Sequence, residues 1–140
     1  MKNLEQNYIS VVLVVNDKDY DIINKIDSIS NLLKDNFKGS EIVIVDNTIR
    51  NLELNELSEK NIRYTLIKLP IKHRTQQALN AGTAMSIGDY IVEIEDVSFD
   101  IDYSKIMELY KKSQEGYDFV FLVPRKSKFT SQIFYKTLNK

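Results

Sequence analysis

A continuous run of apolar residues near the start of the chain constrains the fold most strongly. From Ile9 to Val15 the sequence reads Ile-Ser-Val-Val-Leu-Val-Val, mostly β-branched and without regular polar alternation. Such a run is typical of a strand in a parallel sheet whose two faces are both covered by helices. The run ends at Asn16-Asp17, a turn signal. The sequence therefore predicts a buried parallel strand whose carboxyl end meets solvent at Asn16.

The rest of the chain alternates between strand and helix patterns. Further strands are predicted at Glu41 to Val45, Ile62 to Leu69, Tyr90 to Glu95 and Phe119 to Val123. Helices are predicted from Asp19 to a stop at Gly39, from Leu52 to Lys60, from Arg74 to Ser86, around Tyr103 to Tyr110, and as a basic helix from Lys128 to Asn139. This alternation predicts a doubly wound α/β fold, with a mostly parallel sheet and helices on both faces. We expect one domain over residues 1–140.

Charge and composition exclude several classes of function. With 19 basic and 20 acidic residues the net charge is −1, so we expect no nucleic acid partner. The chain has no cysteine, which excludes disulfides, thiolate metal sites and a cysteine nucleophile. No glycine follows the first strand, which argues against a dinucleotide fingerprint and a P-loop. The apolar run Tyr8 to Val15 is too short to span a membrane, and we expect a cytoplasmic protein.

Polar side chains follow the predicted strands at the edge where open α/β sheets bind ligands. The strand ends are Asn16-Asp17, Asp46-Asn47, Lys72-His73-Arg74, Glu95-Asp96 and Pro124-Arg125. Mg²⁺ or Mn²⁺ bound to a diphosphate needs only one or two protein carboxylates. Asp46, Glu95 and Asp96 are the candidates for that task.

An ordered series of motifs resembles the family-2 glycosyltransferases of the GT-A fold. The series consists of Ser10 to Asp17, Glu41 to Asn47, Ala78 to Gly82 and Gly88 to Val92. The later segments Glu115 to Val120 and Ser131 to Asn139 resemble the subgroup that uses polyprenyl-phosphate acceptors, such as the dolichyl-phosphate mannose synthases. The resemblance implies a nucleotide-sugar donor and transfer of a hexose.

The resemblance also implies roles for individual residues. Asp46 would contact the nucleotide base, and Asn16 and Asp17 would border it. Glu95 and Asp96 would begin the family's Asp-X-Asp motif, which binds ribose and the metal, so that Asp96 is the expected ligand of Mg²⁺ or Mn²⁺.

The chain departs from the family pattern at four positions. Glu95 stands where the first acid of Asp-X-Asp is normally an aspartate. Val97 stands where the last acid of Asp-X-Asp is expected, and it cannot ligate a metal. Asn47 replaces the second acid after the second strand. Arg74 replaces a glycine, and a guanidinium there could meet phosphate directly in place of a cation.

Two other functions stay open at this point. We expect the chain to lack the family's acceptor half and catalytic base, so a truncated, non-catalytic relative that binds or scaffolds is the main alternative. An unrelated doubly wound regulatory domain is the weaker one, with Pro124-Arg125-Lys126 as its only support. In ordinary proteins Asp46-Asn47 would form a turn, and Asp96 or Asp100 would cap the next helix.

The basic segment from Lys128 to Asn139 has three interpretations. The simplest is an amphipathic helix that packs on the sheet. The second is an interfacial helix that contacts anionic lipid through its lysines, as a peripheral contact at the inner face of the membrane. The third is a homodimer contact.

Overall fold

A single sheet forms the centre of the molecule. The computed structural model describes residues 2–19, 21–95, 97 and 102–121, and the backbone of residues 133–137. Within these residues the strands are β1 (Glu5–Val15), β2 (Phe37–Asp46), β3 (Tyr64–Lys68), β4 (Tyr90–Ile94), β5 (Phe119–Phe121) and β6 (Ile133–Thr137). The helices are α1 (Ile22–Asn36), α2 (Asn55–Glu59), α3 (Thr75–Met85) and α4 (Lys105–Ser113). None of these helices combines the length and apolar composition that a membrane span requires.

The order of the strands in the sheet is β3-β2-β1-β4-β6-β5. β1 pairs in parallel with both β2 and β4, and β2 pairs in parallel with β3. β6 lies antiparallel between β4 and β5. The expected doubly wound fold with a mostly parallel sheet is confirmed.

Successive residues of the central strands point to opposite faces, and each face builds its own core. On one face, Val11, Leu13 and Ile44 belong to the same buried cluster as Ile26 of α1, Leu57 of α2 and Ile106 of α4. On the other face, Val12, Val14, Val43, Val45 and Ile91 pack with Ala78 and Leu79 of α3. Helices therefore cover both faces, which explains the continuous apolar run of β1.

Helix α3 approaches the sheet unusually closely because it presents Gly82 to it. A Cβ atom at Gly82 would lie 2.4 Å from Val12 Cγ1 and 2.9 Å from Val45 Cγ2. Both distances are shorter than carbon atoms tolerate, so this helix could not sit where it does with a larger residue. The sequence already predicts such an approach, because Ala78, Ala81, Gly82 and Met85 fall on one face of this helix and most of them are small. The packing of Gly82 confirms it.

Two expectations about the boundaries and type of elements are wrong. Gly39 does not end α1: the helix ends at Asn36, β2 begins at Phe37 without a loop, and Gly39 lies inside β2, where Tyr8 packs against it. The helix predicted over Lys128 to Asn139 is wrong at residues 133–137, which form β6. Strand pairing with both β4 and β5 satisfies the backbone there. The remainder of that predicted helix lies outside the described residues.

Replacing Gly82 by alanine tests the close packing of α3. Helix propensity alone would stabilise the variant by up to about 1 kcal/mol. We expect the clash with Val12 and Val45 to dominate, lowering the free energy of unfolding by about 1–3 kcal/mol. Urea titration measures the difference, with Gln77→Ala at an exposed position of the same helix as the control. A Gly82→Ala variant at least as stable as the wild type would contradict the packing.

Candidate functional site

The carboxyl ends of the parallel strands and the loops that follow them form one edge of the sheet, which we call the rim. The chain runs from β1 outwards to β2 and β3, and then returns to the other side of β1 as β4. The connections on the two sides of β1 therefore lead in opposite directions, and the carboxyl ends of β1 and β4 lie where the strand order reverses. Open α/β sheets bind ligands at such a position.

Asn47 joins three parts of the rim. Its amide Nδ2 donates to Asn16 Oδ1 at 2.9 Å and to the His73 carbonyl oxygen at 2.8 Å. Its Oδ1 accepts from the His73 N–H at 2.9 Å. The side chain is 1% exposed, and both of its amide protons are used. The end of β1, the end of β2 and the loop before α3 are thereby held together.

Asp46 organises the loop that follows β2. Its Oδ1 accepts from the N–H and the hydroxyl of Thr48, and its Oδ2 accepts from the Leu52 N–H at 3.0 Å. Lys68 Nζ lies 3.1 Å from the same Oδ2. Burial tends to raise the pKa of this carboxyl, but the hydrogen bonds from Thr48, Leu52 and Lys68 outweigh it and lower the pKa below its ordinary value. The Asp46 carboxylate is therefore engaged within the protein, and its contact with a nucleotide base stays a prediction.

Aspartates after β1 fix the neighbouring loops. Asp17 Oδ1 accepts from the Ile49 N–H at 2.9 Å, and Lys72 Nζ lies 3.5 Å from its Oδ2. Asp19 Oδ2 accepts from the Asn16 N–H at 2.7 Å. The predicted residues Asn16, Asp17, Asp46 and Asn47 are therefore brought together by a hydrogen-bonded network between loops.

The start of α3 is the electropositive part of the rim. Arg74 is exposed and immediately precedes the helix, which its side chain does not cap, and the first turn contains no acidic residue. The dipole of a helix leaves positive partial charge at its N-terminus, and the first N–H groups point away from the helix. Because Asn47 binds the backbone of His73, this helix end is held beside the ends of β1 and β2. The arrangement suits an anion.

The segment after β4 contains the acids expected to bind ribose and metal. Glu95 is half-buried directly beyond β4, and Asp96 lies outside the described residues. Val97 is 1% exposed and belongs to the hydrophobic core beneath α1 and α4. Its carbonyl oxygen accepts a hydrogen bond from Lys25 Nζ of α1.

The described residues do not form a cluster of metal ligands. Across residues 2–19, 21–95, 97 and 102–121, no group of three or more histidine, aspartate or glutamate side chains is arranged to hold a metal ion. Asp46 already neutralises Lys68, and Val97 packs into the core. Binding of Mg²⁺ or Mn²⁺ through Asp96 stays a prediction.

Two lysines of this region were not predicted from the sequence. Lys68 pairs in register with Asp46 across β2 and β3. Opposite charges at the ends of these two strands could therefore have indicated the ion pair. Its Nζ also donates to the Thr48 carbonyl oxygen at 3.0 Å. Lys25 had no such signal, because its partner is a backbone carbonyl of a segment distant in sequence.

Comparison of the chain with protein-family models and with curated protein sequences found no match in either.

Replacing Asp46 by asparagine tests the role of its carboxylate. The variant leaves Lys68 without its buried carboxylate partner. It also replaces one acceptor oxygen by an amide group that donates, although the groups facing it are themselves donors. We expect a loss of about 2–4 kcal/mol in the free energy of unfolding at pH 7. Denaturant titration measures it, and Asp35→Asn, at an exposed position of α1, serves as the control.

The stability difference between the wild type and Asp46→Asn should also depend on pH, with a predictable direction. The pKa of Asp46 in the folded chain lies below its ordinary value of 3.8, so its contribution to stability is complete above that value and is lost as the pH falls through the folded pKa. The stability difference between wild type and Asp46→Asn should stay constant from about pH 7 to 5 and shrink below about pH 4. A difference that grows on acidification would contradict this assignment.

Proposed function

We propose that the rim binds the nucleoside diphosphate of a nucleotide-sugar donor. The observation that carries the proposal is the uncapped start of α3, with Arg74 beside it, which Asn47 holds against the strand ends. A diphosphate presents oxygens that both a guanidinium and the N–H groups of a helix N-terminus can bind. The location at the reversal of strand order supports the same conclusion.

The resemblance to the family-2 glycosyltransferases supports the identity of the donor. In this proposal the phosphates lie against Arg74 and the start of α3, and the nucleoside extends over Asn16 and Asp17 towards the ends of β1 and β2. Glu95, beyond β4, accepts a hydrogen bond from a ribose hydroxyl in this proposal. A hexose would then be transferred from the donor to an acceptor.

The second candidate is a related domain that binds the nucleotide without transferring sugar. The burial of Val97 favours it, because the side chain at the expected position of a metal-binding acid points into the core. In the first candidate a divalent cation would stabilise the leaving diphosphate. The two candidates share the donor site and differ in whether the bound sugar is transferred.

Thermal unfolding in the presence of nucleotides tests donor binding. UDP, GDP, CDP and dTDP are added separately, each with Mn²⁺ and with a chelator. The nucleotide that fits should stabilise the protein by about 2.7 kcal/mol when present at about 100 times its dissociation constant. Absence of any shift with all four nucleotides at millimolar concentration would contradict the proposal.

The variant Arg74→Gln tests the phosphate contact. Because one charge-assisted hydrogen bond is removed at an exposed position, we expect nucleotide affinity to fall about five- to tenfold. Isothermal titration measures this, and Lys112→Gln, which removes an exposed positive charge from α4, should bind like the wild type. Equal losses in both variants would show that only net charge matters. Release of free hexose from the donor would then separate a transferase from a binding domain.

A further inference from the structure

A groove of about 540 Å³ lies at the amino end of the sheet, opposite to the rim. Its walls come from the start of β1, the start of β2, the last turns of α1 and the loop before β3. The apolar residues of its lining are Leu4, Tyr8, Leu33, Phe37 and Ile42, of which Leu4 and Tyr8 are partly exposed and the other three are buried. The volume falls in the range of sites that hold small organic ligands.

The groove exists because β2 is longer than its neighbour. The first pair between β2 and β3 is Ile42 with Tyr64, whereas β1 already pairs with β2 at Phe37. The preceding part of β2 therefore has β1 on one side and no described strand on the other. Tyr8 packs its ring on Gly39, where a Cβ atom would come within 2.7 Å of the ring. The missing side chain leaves an aromatic surface over the strand.

The charged groups of the groove are unbalanced. Lys34, Lys38 and Arg63 line it and are exposed, and none of them forms a salt bridge with any residue that the structure describes. The acid among the described lining residues is Glu41, and its Oε1 already accepts from Ser10 Oγ at 2.5 Å and the Ile87 N–H at 2.8 Å. Positive charge therefore predominates among the groups that face the groove.

A simpler explanation covers only part of this arrangement. Lysine at a sheet edge discourages pairing with other chains, which accounts for Lys38. It does not account for Lys34, which comes from α1, or for an apolar concave surface between the cations. Three positively charged side chains from separate elements surround a partly apolar surface. This arrangement matches a ligand that combines a negatively charged group with an apolar body.

We propose that this groove is a binding site for a small amphipathic organic anion. Its carboxylate, phosphate or sulfonate group is held by Lys34, Lys38 and Arg63, and its aromatic or aliphatic body lies against Leu4 and Tyr8. The groove and the rim are at opposite ends of the sheet, so this inference does not depend on the proposed nucleotide site.

Nuclear magnetic resonance titration of the full chain with 2-naphthoate tests the site. We expect saturable shifts of the backbone amide signals of Lys38, Gly39 and Arg63. The neutral analogue 2-naphthalenemethanol has the same ring system, and we expect it to bind about fivefold or more weakly. The double variant Lys38→Gln/Arg63→Gln should lose at least a similar factor for 2-naphthoate, whereas Lys105→Gln on α4 should bind it like the wild type.

The variants change exposed side chains, and thermal unfolding of each one checks that the fold is retained. A charge-reversed variant, Arg63→Glu, should abolish the shifts at Gly39. The proposal is overturned by shifts that concentrate elsewhere, such as at the exposed Phe119 and Phe121. Equal affinity for both probes, or a double variant that binds 2-naphthoate as tightly as the wild type, would also overturn it.

Discussion

Two polar residues at the end of β2 are almost fully buried, and a buried polar group is costly unless it is hydrogen-bonded. Asp46 meets this demand through Thr48, Leu52 and Lys68, and Asn47 meets it through Asn16 and His73. Together these bonds reach into several loops of the rim. The conformation of the rim therefore follows from the hydrogen bonds that Asp46 and Asn47 require. The apolar strands beneath them bury these two side chains and so make the bonds necessary.

This requirement separates the polar groups of the rim into two classes. Asp46 and Asn47 are engaged with the protein itself, so their contribution to a ligand site is to hold its parts in place. In the proposed function, the exposed side chain of Arg74 and the first N–H groups of α3 are the groups that meet a phosphate. The proposed site would then be pre-organised for an anion before the ligand arrives, with the carboxylate of Asp46 acting on the surrounding loops.

The alternation of strands and helices could be predicted because buried strands and amphipathic helices leave different periods in the sequence. The run Ile9 to Val15 was sufficient to predict a strand buried on both faces. The small residues of α3 were sufficient to predict that this helix packs closely on the sheet. β6 was missed because Ile133, Phe134 and Leu138 also fit one side of a helix, and the pairing that decides the matter comes from distant strands. In the site, the positions of Asn16, Asp17 and Asn47 were predicted, but their bonds to each other and the role of Lys25 depend on tertiary contacts.

Amide hydrogen exchange of the variant Asn47→Ala measures most directly whether one side chain holds the rim together. If Asn47 holds the rim together, the His73 amide, which donates to Asn47 in the wild type, loses protection in the variant relative to the slowest amides of β1 and β2. Those core amides should keep their order of protection, because the opening is local. If the His73 amide stays as protected in the variant as in the wild type, relative to the same core amides, Asn47 does not hold the start of α3 against the strands.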